Sequence, residues 1–260
     1  MADFLKSELY KITHRAYPYV LLILGVVLAI IINGAVYYGQ KALNLGGYEI
    51  TGQDMLYAGL YMMASIIWYM MIFTTDIGFS GEWRNNTMKN TISFGTNRNV
   101  IFSGKCIINF LILIIGTVVI TGVYVLSNYL MFKGDGSLTS DVYATFMTRF
   151  LLMMPLIFAG QAMASSLCMF FSTDLLWCGI YAVLVALLPN GFMLLYALFP
   201  DNETVIKLYN YMPTVCLQRI SYAGFELTSD LISRSLIITA VMLIVFVPIS
   251  VIVFNRKEIK

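Results

Sequence analysis

Apolar residues fall into six long runs separated by shorter polar stretches, and this is the dominant pattern of the chain. A helix needs about 20 apolar residues to cross the hydrocarbon core of a bilayer, and each run is long enough. The pattern therefore predicts an all-α polytopic membrane protein with six transmembrane helices. The predicted spans are 18–38, 55–79, 100–132, 142–171, 175–199 and 231–254.

The connections between the spans are short, and none is large enough to form a soluble domain with its own core. The chain is therefore predicted to be a single transmembrane domain over residues 1–260. The sizeable connection on the inner side is 80–99, and the longest connection on the outer side is 200–230. The other connections are 41–54, 133–141 and the very tight 172–174.

Residues 2–15 precede the first span and have apolar residues at helical spacing, at Phe4, Leu5, Leu9 and Ile12. Charged residues lie between them, so the pattern predicts a short N-terminal helix in the membrane interface. The alternative is a solvated helical extension of the first span. The apolar run that follows is too long for a cleavable signal peptide, and we interpret it as a retained span.

The distribution of Lys and Arg predicts that both termini are cytoplasmic. Cytoplasmic connections of membrane proteins carry an excess of these residues. With the N-terminus inside, the inner segments hold ten Lys and Arg and the outer segments hold six. Six spans return the C-terminus to the same side. The expected location is the cytoplasmic membrane of the cell.

The composition excludes an ordinary cytosolic enzyme and a nucleic-acid-binding module. Apolar and aromatic residues make up 59% of the chain and charged residues 12%, and the net charge is +2. His14 is the single histidine and the four cysteines show no CxxC spacing, so no metal site is expected. No catalytic or nucleotide-binding motif is present. We therefore expect no cofactor in this chain and no enzymatic activity of its own.

The connection 80–99 has the features of a short helix. Trp83, Thr87 or Met88, and Thr91 recur at helical spacing, and Gly95 can end such a helix in the left-handed conformation. A helix held between two spans is a mechanical handle that a soluble partner could push. The alternative is an ordinary charged loop that only sets topology, and the residue pattern alone does not separate the two.

This connection resembles the inner loop of the permeases of type-2 ABC exporters. That family has Glu, Gly-Thr, Lys, Gly, Arg and a final Lys at fixed spacing, and Asn86 stands where the family often has Gly. The opening segment 7–11 and the six-span layout also resemble the family, so the resemblance covers nearly the whole chain. The matching residues are Glu82, Asn86, Thr87, Lys89, Gly95, Arg98 and Lys105.

The resemblance implies an assembly. The chain would be one half of a permease, paired as a dimer with a second six-span chain that is identical or different. Two copies of a cytosolic ABC ATPase would bind ATP and Mg, and residues 82–94 would be the coupling helix seated on that ATPase. Residues 200–230 would form short re-entrant helices on the outer side. The implied coupling residues are Glu82, Trp83, Arg84, Asn86, Thr87, Met88, Lys89 and Ile92.

The cargo is implied by the same resemblance. Among permeases without a large outer domain, the chain is similar to bacterial exporters of bacitracin, lantibiotics and peptide toxins, which implies amphipathic or antimicrobial peptides as cargo and a role in antimicrobial peptide resistance. Export of a small drug or ion is the alternative within this class. An integral membrane enzyme that acts on lipid and a passive anchor for a soluble complex are the alternatives from other classes.

One face of span two is a candidate for the substrate pathway or a dimer seam. Its aromatic, hydroxyl and carboxyl side chains fall within about a third of the helix circumference, and a charge within a span usually faces protein or water. The alternative is that the carboxylate reaches the interface and that the outermost tyrosine belongs to an aromatic belt. The candidate pathway residues are Tyr57, Tyr61, Ser65, Trp68 and Asp76.

Spans four and five contain helix features of a different kind. Pro189 and Gly191 form a candidate hinge in span five, because proline removes a backbone hydrogen bond and kinks the helix. That bend could serve opening of the pathway or be static. The small residues of 160–166 in span four predict a seam of close helix packing.

Overall fold

A computed structural model describes residues 2–43, 49–80, 97–171 and 173–256, and all regular secondary structure in these residues is helical. In chain order the helices are α1 (Ala2–Thr13), α2 (Ala16–Leu43), α3 (Gly52–Thr75), α4 (Arg98–Phe132), α5 (Ser140–Phe170), α6 (Asp174–Ala182), α7 (Leu188–Leu198), α8 (Glu203–Asn210), α9 (Pro213–Ser221) and α10 (Ser229–Arg256).

Six helical stretches of the described residues are long and apolar enough to cross a membrane. Four of them are the single helices α2, α4, α5 and α10. Another is α3 with the π-helical turn Asp76–Ser80 that continues it, and the sixth runs from α6 through the π-helical turn Val183–Leu187 into α7. The predicted all-α fold with six transmembrane helices is confirmed. The placement of α1, α8 and α9 relative to a membrane stays a prediction.

Polar caps start the helices where the apolar runs begin. Thr51 precedes α3, and its hydroxyl oxygen accepts a hydrogen bond from the Asp54 N–H at 3.2 Å while the Asp54 carboxylate accepts one from the Thr51 N–H at 3.1 Å. Asn97 precedes α4, and its side chain accepts from the Asn99 N–H at 2.9 Å. These bonds satisfy N–H groups that a helix leaves without a partner.

The helix α5 forms the centre of the bundle. Of its most apolar stretch 72% is buried, against 11% for α2, which lies at the periphery. Its main neighbours are α10 and α3, and α3 also packs against α4 and α9. The peripheral α2 packs mainly on α4. The core therefore lies between α3, α5 and α10, and the outer helices surround it.

The two ends of the bundle differ in what they hold. One end, which we call the terminal end, contains α1, the last turn of span two, the first turns of α4 and the end of α10; hydrogen bonds join these elements. The opposite end contains the connection between α4 and α5, together with α9 and the chain that follows it. The first described helix, α1, and the end of the last one, α10, therefore lie at the same end of the bundle.

Candidate functional site

A buried ion pair joins α1 to α4 at the terminal end. Lys105 Nζ lies 3.1 Å from Glu8 Oε2, and these residues are 1% and 3% exposed. The same ammonium group donates a hydrogen bond to the carbonyl oxygen of Gly78 at 2.9 Å. Lys11 Nζ lies 2.6 Å from the other carboxylate oxygen of Glu8. We call Glu8, Gly78 and Lys105 the junction, because they link α1, the end of span two and the start of span three.

Close packing surrounds the junction. A side chain at Gly104 would collide with Phe4, so the glycine allows α1 to lie directly against α4. A side chain at Gly78 would collide with the amide group of Asn109. Removing one partner of a buried ion pair costs about 3–5 kcal/mol, because it leaves an uncompensated charge. The three elements of the junction therefore hold fixed positions relative to one another.

A second link ties the start of α4 to the end of α10. Arg98 Nη1 donates hydrogen bonds to the carbonyl oxygens of Phe254 at 3.4 Å and Asn255 at 2.8 Å. Asn255 Nδ2 donates to Asn99 Oδ1 at 2.9 Å. A cation is favoured at the C-terminus of a helix, where the carbonyl groups carry partial negative charge. The start of span three is thus held by α1 on one side and by α10 on the other.

The segment predicted to couple to an ATPase lies between these two links. Gly78 precedes it and Arg98 follows it, so both of its flanks are described. The predicted coupling residues themselves lie outside the described residues. They are Glu82, Trp83, Arg84, Asn86, Thr87, Met88, Lys89 and Ile92.

A cavity of about 130 Å³ lies between α3, span five and α9, and we call it the polar cavity. Ser65 and Trp68 line it from α3, and Pro189 lines it from α7. The sequence predicted Ser65 and Trp68 as part of one face of span two and Pro189 as part of a hinge, and the structure brings the three residues together. Thr214 and Gln218 line the cavity from α9, and no charged residue is among its described lining.

Two residues of this lining each have one buried side-chain atom with no hydrogen-bond partner among the described residues. These atoms are the indole nitrogen Nε1 of Trp68 and the hydroxyl oxygen of Thr214, on residues that are 2% and 8% exposed. Buried polar atoms are nearly always hydrogen-bonded, and an unpaired one costs about 1–3 kcal/mol. Trp68 and Thr214 therefore each have a buried polar group that no described side chain satisfies.

The candidate hinge lies where span five is irregular. The π-helical turn Val183–Leu187 ends two residues before Pro189. The Leu188 N–H donates to the Val183 carbonyl five residues earlier. Such turns insert one extra residue into a helix and are frequent at functional sites. Gly191 follows two residues after Pro189 and is not part of the described lining of the polar cavity. Whether the chain bends here in function stays a prediction.

The other candidate pathway residues lie elsewhere on span two. Tyr57 is partly buried against the main core, and Tyr61 is 40% exposed. Asp76 opens the π-helical turn at the terminal end, about 16 Å along the helix from Ser65 at 1.5 Å per residue. Ser65 and Trp68 therefore share the polar cavity, and the other three candidates lie outside its described lining.

Arg149 has a role that the sequence did not reveal. The residue is in α5 and is 5% exposed, and its guanidinium donates to the carbonyl oxygens of Ile220 at 2.8 Å, Tyr222 at 3.0 Å and Phe225 at 2.8 Å. These carbonyls lie at the end of α9 and just after it, where a cation is favoured. Arg149 thus fixes the helix that supplies Thr214. The sequence feature that could have indicated this role is an arginine within a predicted membrane span.

Comparison with known proteins adds no family assignment. The chain matches no family model, and no curated protein is significantly similar to it in sequence. Among the described residues, no three of His, Cys, Asp and Glu come together as a possible metal site. The junction and the polar cavity are therefore the structural features that bear on function.

Proposed function

We propose that this chain is the transmembrane subunit of an ATP-driven exporter, coupled to a separate ATPase through residues 82–94. The junction is the observation that carries the proposal. A segment that receives force from a soluble partner must be connected rigidly to the helices that it moves. Gly78 and Arg98 flank the segment, and both are tied into neighbouring helices.

The junction suits force transmission better than it suits stability. The free energy needed to remove two charges from water offsets most of their electrostatic attraction, so a buried ion pair adds little net stability. Separating the partners is costly, however, and the pair therefore fixes relative position. Movement of 82–94 would carry the end of span two, the start of span three and α1 together. The bonds from Arg98 extend this unit to α10.

The proposed assembly has the terminal end in the cytoplasm. Two copies of an ABC ATPase bind there and supply ATP and Mg, and a second six-span chain completes the permease in the cytoplasmic membrane. ATP binding moves the 82–94 segment, and the permease releases its cargo outward. The chain itself performs no covalent chemistry. Amphipathic or antimicrobial peptides are the proposed cargo, on the resemblance of the inner loop.

Purification of the chain from its native membranes in mild detergent tests the assembly. We expect mass spectrometry to find a stoichiometric soluble ATPase with a phosphate-binding loop, and the presence of a different six-span chain would make the permease a heterodimer. Recovery of this chain alone across several detergents would contradict the proposal and favour a membrane enzyme. An ATPase whose hydrolysis never responds to peptide would favour a passive anchor.

The Lys105→Met variant tests coupling in the same complex. We expect peptide-stimulated ATP hydrolysis to fall at least about fivefold, the low end of typical coupling between sites. A second variant, Glu8→Gln with Lys105→Met, removes both buried charges of the junction and takes the Glu8 carboxylate only from Lys11, whose side chain is 39% exposed. We expect it to be more thermostable than Lys105→Met while remaining uncoupled.

Lys207→Met is the matched control for these variants. Lys207 pairs with Glu203 at 3.2 Å, and the two side chains are 72% and 84% exposed. Exposed pairs contribute about 0–1 kcal/mol, so the control is expected to hydrolyse ATP like the parent. Normal peptide stimulation in both junction variants would contradict the coupling role.

A further inference from the structure

We propose that a groove between spans one, two and three holds one acyl chain of an anionic phospholipid whose headgroup lies at the terminal end. We call it the apolar groove, and its lining residues lie mainly within 9–13 of α1, 18–32 of α2, 59–77 of span two and 112–124 of α4. The proposal concerns lipid binding by this chain alone and does not rest on ATP-driven export. It is carried by the shape of the groove, by its lining and by the charges at its mouth.

The groove exists because α2 and α3 each pack on α4 but scarcely touch one another. Leu24 of α2 and Ile66 of α3 line it and are 55% and 48% exposed, so the groove is open to the surrounding membrane. Protein interiors contain few voids larger than a water molecule, because the atoms that line an empty void lose dispersion contacts. The apolar groove has a volume of about 360 Å³, so we expect a molecule to fill it.

The lining of the groove favours hydrocarbon over water. No Lys, Arg, Asp or Glu is in its described lining. The hydroxyl groups of Thr13, Thr74 and Tyr124 donate to backbone carbonyl oxygens at 3.0, 3.1 and 2.6 Å, so their protons are already used within the chain. Apolar cavities stay dry, because a buried water molecule needs two to four polar partners. Within a membrane, the hydrocarbon that can enter such a groove is a lipid acyl chain.

The dimensions of the groove select a single chain. Its lining on α2 runs over 18–32, which is about 21 Å at 1.5 Å per residue. One leaflet of a bilayer has about 15 Å of hydrocarbon, half of the core, so the groove is long enough for an acyl chain. Spread over this length, the volume gives a mean cross-section of about 17 Å². A helix about 10 Å across needs about 80 Å², so a helix of a second chain or of a peptide does not fit.

The mouth of the groove at the terminal end has an excess of positive charge. At the junction, the ammonium groups of Lys11 and Lys105 share the one carboxylate of Glu8. Arg15 follows α1, is exposed and adds a further positive charge. Asp76 of span two contributes one negative charge at this end, so three cations face two carboxylates. Each Lys or Arg near a membrane surface favours anionic lipid, and the charges therefore select an anionic headgroup.

The test uses the full chain, freed of lipid in mild detergent and titrated with dioleoylphosphatidylglycerol, while native mass spectrometry counts the bound lipids. We expect one saturable lipid per chain. Dioleoylphosphatidylcholine has the same acyl chains on a neutral headgroup, and it should bind at least about fivefold more weakly, the contribution of one interfacial cation. Lysophosphatidylglycerol should bind as tightly as the two-chain lipid, because only one chain enters the groove.

Gly116→Leu tests the location of the acyl chain. Gly116 lines the groove, and a side chain added there meets nothing within 4 Å, so leucine occupies space that the lipid needs. We expect about tenfold weaker binding of phosphatidylglycerol, with a lipid-free thermal midpoint equal to or above that of the parent because a cavity is filled. Gly122→Leu is the matched control on the same helix, equally open but outside the described lining, and it should bind lipid like the parent.

Arg15→Gln tests the location of the headgroup. We expect about fivefold weaker binding of phosphatidylglycerol and unchanged binding of phosphatidylcholine. Lys133→Gln removes an exposed cation at the opposite end of the bundle and should leave the binding of both lipids unchanged.

Three results would overturn the proposal. Equal lipid binding by Gly116→Leu and Gly122→Leu would place the acyl chain outside the groove. Equal binding of phosphatidylglycerol and phosphatidylcholine by the parent, a comparison that needs no variant to fold, would remove the selection of an anionic headgroup. A lipid-free dimer that Gly116→Leu dissociates and Gly122→Leu does not would show that a second copy of the chain covers the groove.

Discussion

Asp135 shows, at the scale of single residues, how one carboxylate fixes a connection at the opposite end of the bundle. It accepts hydrogen bonds from the Gly52 N–H at 2.6 Å and from the N–H and hydroxyl of Ser137 at 2.9 Å and 2.8 Å. Burial raises the pKa of Asp135, but together these bonds outweigh burial, so the pKa is lowered from its ordinary value. The charged form is therefore the one that holds the connection.

Asp135→Asn is expected to destabilise the protein at neutral pH and to flatten its response to acid. Because the folded-state pKa is lowered, the stabilisation is complete above the unfolded-state pKa of about 3.9 and is lost as the pH falls through the folded-state value. The side chain is exposed, so we expect only about 0.5–1 kcal/mol. The measurement is the thermal midpoint of the purified parent and variant at several pH values between 7 and 3.

Asp201→Asn is the control for this prediction, because Asp201 is also exposed at the opposite end. It should keep the parent's loss of stability in acid. If Asp135→Asn lost as much stability as the parent over this pH range, the result would contradict a stabilising role for the Asp135 carboxylate.

At the scale of elements, small residues let α5 pack closely on α3. The residues of 160–166 are all buried, which confirms the predicted packing seam. A side chain at Gly160 would collide with Trp68 and Met71. Next to it, Gln161 accepts a hydrogen bond from Thr74 at 2.7 Å and donates one to Thr75 at 2.9 Å. The contact is therefore both close and hydrogen-bonded.

Gly160→Ala is expected to lower the thermal midpoint of the purified chain, at a cost of about 1–3 kcal/mol from overpacking. Gly122→Ala in α4 is the control, since nothing lies within 4 Å of the added carbon. Alanine is the better helix former by up to about 1 kcal/mol, so the control should be unchanged or more stable. Equal midpoints for the two variants would contradict a close α3–α5 contact.

At the scale of the whole molecule, the bundle has two chemically different ends. The terminal end holds the junction and the bonds between Arg98 and α10. The opposite end holds the carbonyl groups bound by Arg149 and the connection fixed by Asp135. The excess of Lys and Arg at the terminal end predicts that this end faces the cytoplasm.

Cysteine labelling tests this orientation in a variant whose native cysteines are replaced by alanine. Lys6 is exposed on α1 and Gly134 is exposed in the connection between α4 and α5. A membrane-impermeant maleimide should label Gly134→Cys in intact cells and Lys6→Cys only after permeabilisation. The reverse pattern would contradict the predicted orientation and with it the site proposed for the ATPase.

The sequence by itself determined the helices. Hydropathy is a local property, and a run of about 20 apolar residues is enough to define a span whatever surrounds it. The caps at Thr51 and Asn97 are local as well, because each bonds an N–H group within three residues. For the same reason, Ser65, Trp68 and Pro189 could be singled out one by one, from the face of a helix or from a proline within it.

Only the tertiary structure decided which residues meet. Glu8 and Lys105 are 97 residues apart, and their pairing depends on how α1 lies across α4. The polar cavity likewise needs α9 beside α3, which Arg149 secures through backbone carbonyls that have no sequence signature. Helix rotation and crossing follow from side-chain packing over the whole bundle, and a pattern along one segment contains no information about its distant partner.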